Sequence, residues 1–180
     1  MDVEITKVVA AERLEGAWEL YADAFEELRA AAVQRHLMRR TEFDEVMADD
    51  RVEKYLAYDG ERLVGLATVT NDLNAMPLIS PDYFAHRWPN HYAQRRIWYL
   101  GFIAIQLDQR GGAVRALLVD RLWQPVRANR GVAALDICSR NDGLGLPRAI
   151  HRALELLSPD VVATRLDAQV YWAYELPAAS

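Results

Sequence analysis

Between an apolar run, Ile97 to Ile105, and apolar residues at helical spacing, Val114, Leu117, Leu118 and Leu122, stands the stretch Gln109-Arg110-Gly111-Gly112-Ala113-Val114-Arg115. A glycine-containing turn that opens a helix is suited to holding a phosphate or diphosphate. The first N–H groups of a helix have no intrahelical partner and sit at the positive end of its dipole. Glycines let the chain approach an anion without a Cβ in the way. Arg110 and Arg115 are the candidate cations beside it, because a guanidinium binds phosphate in a fixed fork geometry. Arg121, Arg127 and Arg130 read as a solvated face. The alternative for Gly111-Gly112 is a tight strand-to-helix turn that binds nothing.

A second group is Asp136, set between Leu135 and Ile137 in an apolar run. A carboxylate there is expected to be partly desolvated, which suits a general base, or else to be paired with an arginine in the sheet. Cys138 and Ser139 follow, but spacing shows no His-Asp partner, so Cys138 reads as a structural cysteine. A third group, Tyr83, His86, His91 and Tyr92, lies in a stretch broken by Pro77, Pro81 and Pro89. It reads either as a binding flap or as aromatic packing. His36, His86, His91 and His151 lack metal-ligand spacing with one another, and no HExxH, CxxC or Walker loop occurs, so no metal is expected.

These residues must be positioned by elements, and the pattern supplies them. Val3 to Val9 alternates as a first strand. Leu14, Trp18, Tyr21, Phe25 and Leu28 mark a helix from about Ala11 to Ala32. Thr41 with Asp44 suggests the start of a second, short helix. Val52 to Tyr58 and Leu63 to Thr70 flank Asp59-Gly60, a favoured type I′ pair, and read as a hairpin. Asn71 to Arg96 is expected to be an irregular insert. Ile97 to Ile105 reads as a central strand covered on both faces. A helix follows the glycines, then a strand from Val132 to Cys138, a helix from Pro147 to Leu157, and β segments from Val161 to Leu176. No repeat or linker divides residues 1–180, so one domain is expected, an α/β (α+β) mixed sheet with helices on both faces.

Composition bounds the function. With 52% hydrophobic and 26% charged residues the chain is globular, and its single cysteine excludes an internal disulfide. A formal net charge of −5 without a like-charge block argues against a nucleic-acid binder. No apolar run approaches the ~20 residues of a membrane helix, and the acidic MDVEITKVV start is unlike a signal peptide. A cytoplasmic protein without a membrane partner is therefore expected.

The order of elements, the hairpin YLAYDGERLVGLATV with Gly65, the stretch LGFIAIQLDQRGGAVRALL and the stretch ALDICSRND together resemble the Gcn5-related N-acetyltransferases, over nearly the whole chain. The resemblance implies a mainly antiparallel sheet flanked by helices and an acetyl-CoA or other acyl-CoA donor. Its loop signature, Gln/Arg-x-x-Gly-x-Gly/Ala, is matched by Gln109 and Gly112, while Val114 stands where a glycine or alanine is expected. It implies cofactor contacts from Gln109 to Arg115 and Asn141, and carbonyl polarisation by backbone groups of Phe102, Ile103 and Ile105.

In that family a tyrosine about seven residues beyond the asparagine helps the thiolate leave; Arg148 stands in its place, and His151 is the candidate acid. Asp136 is the candidate base and Tyr92 a further catalytic candidate, with Tyr83, His86, His91 and Trp98 as acceptor contacts. The implied activity is acyl transfer to the amine of a small molecule, by a monomer or a homodimer. Val114 and the missing tyrosine leave two alternatives: a binding or regulatory protein of this fold, or an enzyme that takes its acyl group from a carrier protein.

Overall fold

The computed structural model describes residues 1–32, 37–109 and 112–176. Five strands make one sheet in chain order: β1 (Asp2–Thr6), β2 (Glu53–Asp59), β3 (Arg62–Thr70), β4 (Ile97–Ile105) and β5 (Val132–Leu135). The first three pairings are antiparallel and β4–β5 is parallel, so the expected mixed, mainly antiparallel sheet is present. Seven α-helices are described: α1 (Ala11–Phe25), α2 (Arg40–Ala48), α3 (Pro81–Arg87), α4 (Pro89–Ala93), α5 (Ala113–Ala128), α6 (Ser139–Gly143) and α7 (Leu146–Leu157).

The apolar stripes of α1 and α2 bury Ala17, Leu20, Tyr21, Phe43 and Met47 against Leu56, Leu66, Phe102 and Ala104 on one face of the sheet. On the other face α5 buries Val114, Leu118, Leu122 and Val126 against Tyr55, Ala67, Val69 and Ile105. Each of the valine, leucine, isoleucine, phenylalanine and methionine side chains contributes roughly 1.5–3 kcal/mol by leaving water. Gly65 faces α5 in β3. A Cβ there would lie 2.9 Å from both Leu118 Cδ1 and Val114 Cγ1, so only glycine lets the helix pack this close.

One buried charge ties the edges together. Lys54 in β2 is wholly enclosed, and its Nζ donates to the carbonyls of Lys7 and Asp49, both at 2.6 Å. Burial pushes its pKa down to about 8, against the attraction of Asp49 and Asp50.

Several local expectations are corrected. The first strand is Asp2–Thr6, short of Val9. The first helix ends at Phe25, not near Ala32, because Phe25 (φ −108°, ψ 1°) leaves helical geometry and only a 3₁₀ turn follows. The second begins at Arg40, with the Arg39 N–H donating to Glu42 Oε2 at 2.7 Å, while Asp44 instead accepts from Arg40 Nε at 2.8 Å. The hairpin turns one residue later than Asp59-Gly60. Asp59 pairs with Arg62, leaving Gly60 (φ +60°) and Glu61 central, the II′ arrangement that asks for glycine first. The insert is not irregular throughout: Pro81 and Pro89 each start a short helix, where the missing proline N–H costs no bond.

The C-terminal third departs further. β5 stops at Leu135 rather than Cys138, and Ser139 to Gly143 form a helix that spacing had not shown. Val161 to Leu176 hold no strand.

Candidate active site: the fork between β4 and β5

β4 and β5 run side by side from Ile97–Val132 to Leu100–Leu135 and then part. β4 continues five residues further, through Gly101 to Ile105, with no strand among the described residues on that edge. The parting coincides with a β-bulge. Thr68 pairs with Phe102 and Val69 with Leu100, so Gly101 is the extra residue, and a bulge bends its strand. A Cβ at Gly101 would lie 2.6 Å from Thr68 Oγ1 on β3, so only glycine fits the bulge. The unpaired edge of Gly101–Ile105 offers backbone donors and acceptors in a row. The polarising groups expected at Phe102, Ile103 and Ile105 lie on this edge.

Asp136 is the first residue after β5 and sits at this divergence. It is exposed, not embedded in a strand, because β5 ends before it; the expectations of a desolvated carboxylate and of an arginine partner are both corrected. Its partner is Tyr99, whose hydroxyl donates to Asp136 Oδ1 at 2.8 Å. The Tyr99 ring is buried in β4, edge-on to Phe84 with centroids 6.3 Å apart. Burial raises the Tyr99 pKa, and the negative charge of Asp136 raises it further, so the phenol stays a donor. Neither Tyr99 nor Gly101 was singled out by spacing. Tyr99 reads as one more apolar residue of a central strand, and its partner 37 residues away is set by strand register. The only signal was generic, that a buried tyrosine hydroxyl needs an acceptor.

The insert walls the same face. Phe84, Leu73, Ile97, Tyr99 and Ala134 form a buried cluster, with Met76, Trp88 and Tyr92 packed against it. Tyr92 therefore serves packing here. Tyr83 is 41% exposed, stacked edge-on to Phe84 at 5.6 Å, and His86 is exposed on the same helix. His91 is turned to the other end of β4, where its Nε2 lies 3.2 Å from the Arg130 carbonyl. Trp98 alternates with Tyr99 and so points to the α5 face. There it is buried and presses on Gly131, whose Cβ would meet the indole at 2.4 Å. Trp98 is thus separated from Tyr83 and His86 by the sheet.

At the fork end of α5, Gly112 precedes the helix and Ala113 opens it. Val114 is fully buried with its side chain against Gly65, so its branched chain faces the core and leaves the helix entrance clear. Gln109 ends a 3₁₀ turn, its N–H donating to the Gln106 carbonyl at 2.9 Å, and Arg115 is exposed on the first turn. Arg110 and Gly111 lie outside the described residues. Asn141 is half-buried in α6, just beyond the fork. His151 is engaged elsewhere. Its Nε2 lies 3.2 Å from the Val161 carbonyl and 3.9 Å from Glu155 Oε1, tying α7 to the segment that follows. Among the described residues no group of three or more His, Cys, Asp or Glu is placed to hold a metal, and no helix is long and apolar enough to cross a membrane.

No family model and no curated protein matches the sequence. Solved structures do match by shape. An aminoglycoside antibiotic 6'-N-acetyltransferase from Acinetobacter haemolyticus superposes with a TM-score of 0.57 at 16% identity, covering 98% of this chain and 100% of that one. A ribosomal-protein-alanine N-acetyltransferase from Brucella melitensis biovar Abortus 2308 gives 0.53 at 16% identity, with 96% and 100% covered. AAC(6')-Iy, solved with the bisubstrate analog CoA-S-monomethyl-acetylneamine, gives 0.54 at 13% identity, with 98% and 100% covered. The resemblance read from the sequence is thereby matched in three dimensions: the chain has the fold of the Gcn5-related N-acetyltransferases.

Proposed function

We propose that the protein is an acyl-CoA-dependent N-acyltransferase that acylates the amine of a small molecule. The observation that carries the proposal is the fork. A strand edge free from Gly101 to Ile105 lies beside a carboxylate, Asp136, whose orientation is held by a buried tyrosine hydroxyl. The first-turn N–H groups of α5, with Gln109 and Arg115, would hold the donor's phosphates, and the inward turn of Val114 keeps that entrance open.

The donor supplies a thioester carbonyl: the amine nitrogen bonds to the acyl carbon, the C–S bond breaks, and the sulfur leaves with its electron pair. The chain's own part is threefold. Backbone groups on the free β4 edge can polarise the carbonyl oxygen, and preorganised donors of this kind commonly contribute the largest share of catalysis. Asp136 accepts the proton that the amine must lose, and its exposed position at the mouth lets that proton pass on to water. Tyr99 keeps the carboxylate aimed. A Tyr83 ring standing out from the insert can cover an acceptor docked on this face.

Exchanging Asp136 for Asn tests this directly. Release of free thiol from acetyl-CoA in the presence of a panel of small amines is expected to fall about 10²–10⁴-fold in kcat, with the melting temperature unchanged because the side chain is exposed. Wild-type protein that neither releases thiol nor is stabilised by millimolar CoA or acyl-CoA sinks the reading; ligand at ~100 times its dissociation constant should stabilise by about 2.7 kcal/mol.

A second reading, a protein that binds an acyl-CoA without transferring it, has one observation behind it. On α7 the expected tyrosine position is Arg148, and the candidate acid His151 is already engaged by the Val161 carbonyl. Stabilisation by ligand without any thiol release would select it.

A further inference from the structure

A second cavity, of about 280 Å³, lies at the end of the sheet where β1 and β3 finish and β2 and β4 begin. β4 reaches it at Trp98, before the bulge at Gly101 where the fork opens. Its walls carry three cations, Lys7, Arg51 and Arg95, and three carboxylates, Asp50, Glu53 and Asp72. Buried polar bonds fix the segments that present these charges. Lys54, wholly enclosed, ties the Lys7 carbonyl to the Asp49 carbonyl. Thr70, 2% exposed, donates to the Arg51 carbonyl at 2.7 Å and accepts from the Asp72 N–H at 2.9 Å. Asn71 Nδ2 donates to the Arg95 carbonyl at 3.1 Å. The charged groups are therefore held on a rigid frame before any ligand arrives, which lowers the cost of binding one.

Arg95 is at odds with its own backbone. Its N–H donates to the Tyr92 carbonyl at 3.0 Å and the Arg96 N–H to the His91 carbonyl at 2.8 Å, the pair of bonds that closes a helix through a left-handed residue. Glycine usually fills that place, because a Cβ is disfavoured there, yet Arg95 takes it at φ +53°. The side chain gives the fold little in return. It is 62% exposed, and its ion pair with Asp72 is 3.4 Å long. A guanidinium kept where glycine would serve the turn better is placed for a ligand. Across the cavity, the Glu53 carboxylate is engaged among the described residues only through Oε2, by the Tyr55 hydroxyl at 3.1 Å. We infer that this cavity binds a free α-amino acid, its carboxylate on Arg95 and its ammonium on Glu53, against the indole of Trp98. A guanidinium takes a carboxylate in fork geometry. Walls with equal numbers of both charges favour a ligand that carries both, since a lone amine or a lone acid matches only one half. The site is separate from the fork and does not depend on the activity proposed above.

Isothermal titration of the full chain with a panel of free α-amino acids, without coenzyme, tests this. At least one is expected to bind at millimolar concentration or below, and its decarboxylated amine and its deaminated acid to bind about tenfold more weakly or worse. Arg95→Gly is expected to weaken binding about tenfold or more, with the melting temperature unchanged or raised because glycine suits the left-handed turn. An arginine that served only the fold would give the reverse. Should that variant misfold, Glu53→Gln, whose amide oxygen can still accept from Tyr55, is expected to weaken binding to a similar degree. Asp136→Asn is expected to bind like the wild type. Absence of binding by every amino acid overturns the proposal, as does equal binding of the amine or the acid alone, or a folded Arg95→Gly chain that binds as well as the wild type. So does loss of binding in Asp136→Asn, which would put the amino acid in the fork.

Discussion

α5 and α7 are both amphipathic helices beside one sheet, and they end up in opposite situations. α5 buries four residues against β2, β3 and β4. α7 has a clean stripe but buries none, because the sheet stops at β5. It is held at its C-terminal end, where Trp123 Nε1 donates to Ser158 Oγ at 2.8 Å and Arg127 Nη1 to the Leu157 carbonyl at 3.4 Å, and at its middle by His151 with the Val161 carbonyl. The difference teaches that a helical stripe specifies that something must cover it, not what does. For α5 the cover is β3 of the same chain.

The sharpest way to break this comparison is to cut matching side chains. Leu118→Ala should cost about 2–5 kcal/mol in urea unfolding, at any protein concentration, since it opens a cavity under α5. Leu154→Ala should cost about 1 kcal/mol or less, since Leu154 is only half-buried. Equal losses would mean that α7 is as well covered as α5. A finer test lies under α5. Gly65→Ala places a methyl 2.9 Å from Val114 and Leu118, and should cost about 1–3 kcal/mol through overpacking while preserving the fold. A neutral result would show that α5 is more loosely seated than its contacts suggest.

The smallest effect is a slope with pH on the well-packed side of the sheet. The folded-state pKa of Lys54 is about 8, below the ordinary 10.5, so between these values the unfolded chain binds more protons than the folded one. Stability should therefore rise as pH increases from about 8 towards 10.5, and this contribution is lost as pH falls back through 8. The urea midpoint of wild type against Lys54→Met measures it; the variant should lose the slope. A wild-type curve without that rise would mean that the two carbonyls at 2.6 Å hold the ammonium better than burial opposes it.

Legibility followed the range of the physics. β4 was read with its true ends because nine consecutive apolar residues need no partner to be recognised. The spacing predicts α7 to within one residue, and the stripe it predicts for α5, Val114, Leu117, Leu118 and Leu122, is buried except at Leu117, which is half-buried. Asp136 was singled out for its type, but its surroundings were misjudged, because Leu135 and Ile137 looked like strand neighbours and the strand stops between Leu135 and Asp136. The aromatic insert was legible as a group and not as individuals. Tyr83 and His86 stand on the face of the fork, Tyr92 packs into the cluster beneath it, His91 faces Arg130, and Trp98 is on the other side of the sheet.

From the sequence alone follow the order of β1 to β5 with α1, α2, α5 and α7, the placement of a glycine turn before α5 and the mixed-sheet class, since each rests on periods of 2 and 3.6 and on turn chemistry within a few residues. Only the tertiary structure decided that Gly101 is a bulge, that β4 and β5 part there, and that Tyr99 holds Asp136. It likewise decided that Val114 faces Gly65 and that Val170, Trp172, Tyr174 and Leu176 stand exposed. Those depend on which residues of distant segments come into register, and a shift of one residue in a strand turns every side chain to the other face.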